Sequence, residues 1–202
     1  MESKHKNALI GALLAVVFVM AVGYAAFAQL LTINGTATID SNWDVHFDPS
    51  LTAGTVSSKG GSENPSGTIG YADSNTTANL TANLKQPGDE ITFVLKPTNY
   101  GSLAAKSVGD VVIEAGTGET AGTGTNQLNI AADGQSATKG NIKWEITEFS
   151  PKASLTGAGT STVTDANQDT ITIKASFIGG ETGSVASGQS ANIKIKMNYN
   201  QA

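Results

Sequence analysis

Hydrophobic and polar positions follow two patterns along this chain, and the change between them falls near residue 30. From Ala8 to Ala28 no charge interrupts an apolar run. Beyond it, apolar residues recur at every second position, the period at which strand side chains alternate between two faces. Leu31, Ile33, Ala37 and Ile39 alternate with Thr32, Asn34, Thr36 and Thr38, with Gly35 in line with the apolar set. The same alternation marks 43–47, 78–84, 91–95, 142–146, 171–177 and 193–199, and Val111 to Ile113 is a short buried-type run. This predicts about eight or nine strands. No helical period follows residue 30, and Leu103 to Val108 is too short for a helix. Stretches 52–77, 115–127 and 153–167 are rich in Gly, Ser and Thr and predict surface loops. Many short strands with one face to bury predict an all-β, antiparallel sandwich, in the form of a jelly roll.

The apolar run has the parts of a secretory signal. Lys4, His5 and Lys6 precede it, and small residues close it at Gly23-Tyr24-Ala25 and Ala26-Phe27-Ala28. Cleavage is expected between Ala25 and Ala26, with a cut after Ala28 as the alternative. A run of about 20 apolar residues is also long enough to remain as an uncleaved membrane helix. The expected organisation is a leader or hydrophobic helix over 1–25, a leading strand over 26–40 and a sandwich over 41–202. The chain is expected to be exported to the cell surface or beyond.

Composition narrows the chemistry. The 202 residues contain no cysteine, so disulfides and thiolate metal sites are excluded. All 12 basic residues are lysine and the formal charge is -5, which offers no basic patch for nucleic acid. Past the leader one histidine remains, His46, between Asp44 and Asp48 on the polar side of its strand. It reads as a solvated strand residue. Neither an H-E-x-x-H helix nor a G-x-S-x-G elbow is present. No catalytic residue, resident metal or cofactor is therefore expected. Asp40-Ser41-Asn42-Trp43-Asp44 and Asp165-Ala166-Asn167-Gln168-Asp169 space oxygen ligands as a calcium loop does, but lack its Gly and later Glu. Asx turns are the competing reading. Asn34, Asn75 and Asn79 each begin an N-x-T triplet, the acceptor pattern for N-glycans.

The most distinctive stretch joins a turn, Leu84-Lys85-Gln86-Pro87-Gly88-Asp89, to Asn99-Tyr100-Gly101-Ser102-Leu103-Ala104-Ala105-Lys106-Ser107-Val108. With Tyr24-Ala25-Ala26-Phe27 in the leader, these segments resemble the TasA/camelysin family of secreted biofilm-matrix fibre proteins, which is similar in architecture to archaeal bundling pili. Gln86 is an insertion relative to the family's turn. The resemblance implies a jelly-roll subunit released by a signal peptidase after Ala25. It also implies fibres in which the mature N-terminal segment completes the sheet of the next copy. Phe27, Leu30, Leu31, Ile33 and Gly35 are then the donor-strand residues. Implied partners are further copies of the chain, the peptidase and an accessory or capping subunit. Two other readings compete: a monomeric or membrane-anchored surface adhesin, and a camelysin-like metalloprotease. The latter is disfavoured by the single histidine.

Overall fold

A computed structural model of the chain describes residues 2–27, 42–57, 65–124, 126–159, 162–179 and 189–202, with helix side chains described over 5–20. The chain forms two compact units, Met1–Ile39 and Asp40–Ala202. The first holds one N-terminal helix, α1 (Glu2–Phe27). Its apolar residues occupy every face, and Leu9, Leu13, Phe18 and Met20 are all exposed. Among the described residues no helix is long and apolar enough to cross a membrane.

The second unit is built from antiparallel sheets. Its described strands are β1 (Val45–Phe47), β2 (Thr55–Ser57), β3 (Ser66–Ala72), β4 (Thr77–Leu84), β5 (Glu90–Leu95), β6 (Pro97–Asn99) and β7 (Ala105–Ser107). They continue as β8 (Val112–Ala115), β9 (Asn129–Ile130), β10 (Ser136–Lys139), β11 (Ile142–Phe149), β12 (Ile171–Phe177), β13 (Gln189–Lys196) and β14 (Tyr199–Gln201). One sheet has the order β2-β5-β12-β11-β10-β9 and the other the order β3-β4-β13-β8. Two small sheets, β1-β6 and β14-β7, complete it. The apolar positions that alternate in sequence meet in one core. Leu80, Ala82, Leu84, Ile193 and Ile195 from the four-stranded sheet join Ile91, Phe93, Leu95, Trp144, Ile171 and Ile173 from the six-stranded one. Trp144 and Phe93 pack with ring centroids 5.5 Å apart.

Among the described residues the alternating segments form strands, and so does part of what reads as loop; the alternating segment 31–39 lies outside the described residues. β2 and β3 lie within 52–77. β3 hides because one of its inward positions is glycine. A Cβ on Gly67 would come within 2.8 Å of the Ile91 and Phe93 side chains of the other sheet. The edge strand approaches the opposite layer too closely for a larger residue, so the apolar signal is lost there. The long terminal strand read over 193–199 is instead broken. β13 ends at Lys196, and after Met197 and Asn198 the chain starts β14 against β7.

Candidate functional site

Segment 99–108 turns out to build the dock for the start of the sandwich. Asn99 is fully buried. Its Nδ2 donates to the carbonyls of Leu103 (2.7 Å) and Leu155 (3.2 Å), while its Oδ1 accepts the Gly101 N–H (3.1 Å). Those bonds fold the turn between β6 and β7. Across that turn the incoming chain is laid as a ribbon. The N–H groups of Tyr100 and Gly101 donate to the Asp44 carbonyl, at 2.8 and 3.2 Å. Those of Ser102 and Leu103 donate to the Asn42 carbonyl, at 2.8 and 3.2 Å. Ser102 Oγ accepts the Asn42 N–H at 2.9 Å. Gly101 is required by this approach, because a Cβ there would sit 2.7 Å from the Asp44 nitrogen.

From this clamp the chain runs into β1, which pairs with β6 in the register Val45↔Asn99, His46↔Thr98, Phe47↔Pro97. The Asp44 carbonyl and the Asp48 N–H both bond toward the β6 side. By the alternation of an antiparallel ladder, Val45 and Phe47 turn their backbone groups to the opposite edge. Phe47 N–H meets the Asn75 carbonyl there at 2.8 Å. Among the described residues, Val45 has no backbone partner on that edge. Beside it lies a cleft of about 240 Å³. Trp43, Val45, His46 and Phe47 line it along β1, Met197, Asn198 and Tyr199 line it from the β13–β14 junction, and Thr76 and Pro97 complete it. Trp43 is 46% exposed, whereas Phe47 is buried.

The cleft's polar members are fixed. His46 Nδ1 lies 2.9 Å from Asp44 Oδ1, and its ring stacks on Tyr100 with centroids 4.1 Å apart. His46 is thus not the solvated residue that strand alternation suggests: its side chain is 18% exposed. Burial and the Asp48 charge raise the Tyr100 pKa. On the opposite wall, Tyr199 Oη donates to Asp169 Oδ2 at 2.6 Å. Burial, then that bond and the Asp169 charge, hold the Tyr199 pKa above its ordinary value. Asp169 Oδ1 accepts the Lys152 N–H at 2.8 Å. Asn167, in the same Asx cluster, has its amide bonded to Thr156 and its carbonyl oxygen to Thr164. The 165–169 segment therefore forms turns and tethers. Among the described residues, no group of three or more His, Asp or Glu is placed to hold a metal ion.

Of the residues expected to form the donor strand, Leu30, Leu31, Ile33 and Gly35 lie outside the described residues, as does Asn34. Ala25, Ala26 and Phe27 fall in the last turn of α1. The turn at 86–89 is organised by the buried Asp89, whose Oδ2 accepts the N–H groups of Lys85 and Gln86. Sequence reasoning missed the cleft residues Thr76, Pro97, Met197 and Asn198 and the Tyr199–Asp169 bond. They come from segments far apart in the chain, and no spacing rule connects them. Among known proteins, the chain matches no family model, and no curated protein or solved structure is significantly similar to it.

Proposed function

We propose that this chain is an exported structural subunit, a jelly roll that polymerises by donor-strand complementation into extracellular fibres or pili of a biofilm matrix. The observation that carries the reading is the cleft beside β1. It combines an outward strand edge at Val45 with apolar walls from Phe47, Trp43 and Met197. A strand added there gains backbone hydrogen bonds and side-chain pockets together. A volume of about 240 Å³ suits one or two anchor side chains rather than a drug-sized ligand. The anchors offered by this chain are Leu30, Leu31 and Ile33, ahead of the clamp at Asn42. Each buried Leu or Ile contributes about 1.5–3 kcal/mol. A head-to-tail contact that does not close on itself grows as a filament. The resemblance of the leader and of residues 84–108 to the TasA/camelysin fibre proteins supports the same reading.

In this reading the leader is cut after Ala25 by a signal peptidase, and the segment over 26–36 is the donor. The role is structural rather than enzymatic: His46, the one histidine of the sandwich, is held by Asp44 and covered by Tyr100. The test is removal of residues 26–34 from the processed protein. Folded, soluble monomers are expected, and electron micrographs showing fibres from that variant would refute the proposal.

A further inference from the structure

We propose that Asn75 is an N-glycan acceptor, and that its glycan stands at the rim of the cleft beside β1. Two complete N-x-T triplets lie among the described residues, Asn75-Thr76-Thr77 and Asn79-Leu80-Thr81. The fold treats them differently. Asn79 sits in the middle of β4, paired with Gly70 on one side and Lys194 on the other. Extending that triplet into an enzyme's site would pull Leu80, fully buried, out of the core. Asn75 lies instead in the turn that joins β3 to β4. Asp73, Ser74 and Thr76 around it are exposed. Its side-chain amide has no hydrogen-bond partner among the described residues.

The turn is also poised to open. Asp73, Ser74 and Asn75 follow one another with φ of 52°, 56° and 66°. Three consecutive non-glycine residues in the left-handed region are strained. Local bonds hold them, from Thr76 Oγ1 to the Asp73 carbonyl (2.6 Å) and from Thr77 Oγ1 to Asp73 Oδ2 (2.9 Å), and one longer-range bond, from the Phe47 N–H to the Asn75 carbonyl (2.8 Å), ties the turn to β1. Straightening 75–77 gives up the bond to Phe47 and the terminal Ala72–Thr77 pair, and leaves the ladder from Ala78 onward in place. A surface turn of an exported chain is where this modification belongs.

The co-substrate is an oligosaccharide carried on a lipid pyrophosphate. The Asn75 Nδ2 forms a bond to the anomeric carbon, the bond from that carbon to the pyrophosphate oxygen breaks, and one amide proton is released. The glycan then flanks the cleft, because Thr76 lines it and the Asn75 carbonyl bonds to Phe47 of β1. The assignment holds whether or not the cleft receives a strand, since its readout is covalent mass.

The experiment is peptide mass spectrometry on the full chain isolated from the cells that make it. The peptide containing Asn75 is expected to carry a glycan. Asn75→Asp, which tolerates the same backbone, and Thr77→Ala are each expected to lose that mass completely, whereas Thr77→Ser retains it. Circular dichroism shows that each variant is folded. A bare Asn75 in the wild-type protein, or a glycan on Asn79 beside a bare Asn75, overturns the assignment.

Discussion

The phenol of Tyr199 and the carboxylate of Asp169 form a 2.6 Å hydrogen bond that ties the last strand to the body of the sandwich. Asp169 is fully buried, and its other oxygen holds the Lys152 N–H. Tyr199→Phe leaves one carboxylate oxygen without its donor. The expected loss is about 1–3 kcal/mol of unfolding free energy. Asp169→Ala orphans both the Lys152 N–H and the Tyr199 hydroxyl, so a larger loss is expected. Urea denaturation of the sandwich, residues 40–202, measures both.

Gly101→Ala places a methyl group against the backbone of Asn42 and Asp44. Main-chain atoms bonded to the 100–103 turn cannot swing aside as a flexible side chain does. Overpacking of this kind costs about 1–3 kcal/mol. The loss should localise: hydrogen exchange at Tyr100 and Ser102, whose N–H groups hold the clamp, should rise while β12 stays protected.

Alkaline pH should weaken the fold. Burial, followed by the Asp48 charge, raises Tyr71 from 10.0 to about 12. Tyr199 is raised as well, for the reasons given above. A group whose folded pKa lies above its unfolded value stabilises fully below the unfolded one. That stabilisation is lost as pH climbs through the folded one. Stability should thus hold below pH of about 10, the unfolded tyrosine value, and fall steadily above it. Thermal melts of wild type and of Tyr71→Phe across that window check this, and the variant should show the shallower decline.

Met197→Lys puts a charge into the cleft at a partly buried position. Long side chains carry their charge to water at such sites. The monomer should therefore remain folded, with a change of about 1 kcal/mol or less. Strand capture should fail, because an inserted apolar anchor would have to desolvate the ammonium group. Unchanged fibre yield by electron microscopy would remove the cleft from the assembly mechanism.

The large strands were legible because their alternation is complete: Ile171, Ile173, Ala175 and Phe177 all face the core, with polar residues between them. The lesser strands were not. β10 buries only Ala137, and β3 turns Gly67 inward, so neither carries the bulk that the eye or a hydropathy count detects. Segment 99–108 stood out in sequence, and the reason is now physical. Asn99 and Gly101 satisfy hydrogen-bonding and steric demands that few other residues meet. The cleft was illegible because Trp43, Thr76, Pro97 and Met197 become neighbours only once the strands have paired.

The position of the clamp has a mechanical corollary. If a fibre were assembled through the cleft as proposed, each subunit would be held by its clamp at Asn42 and would receive its neighbour's segment alongside Val45. Tension would enter and leave through the same short ribbon, β1, and its bonds to β6 and the 100–103 turn. The two large sheets would lie off the load path. Such a filament would stretch or break at its joints while its subunits stayed intact.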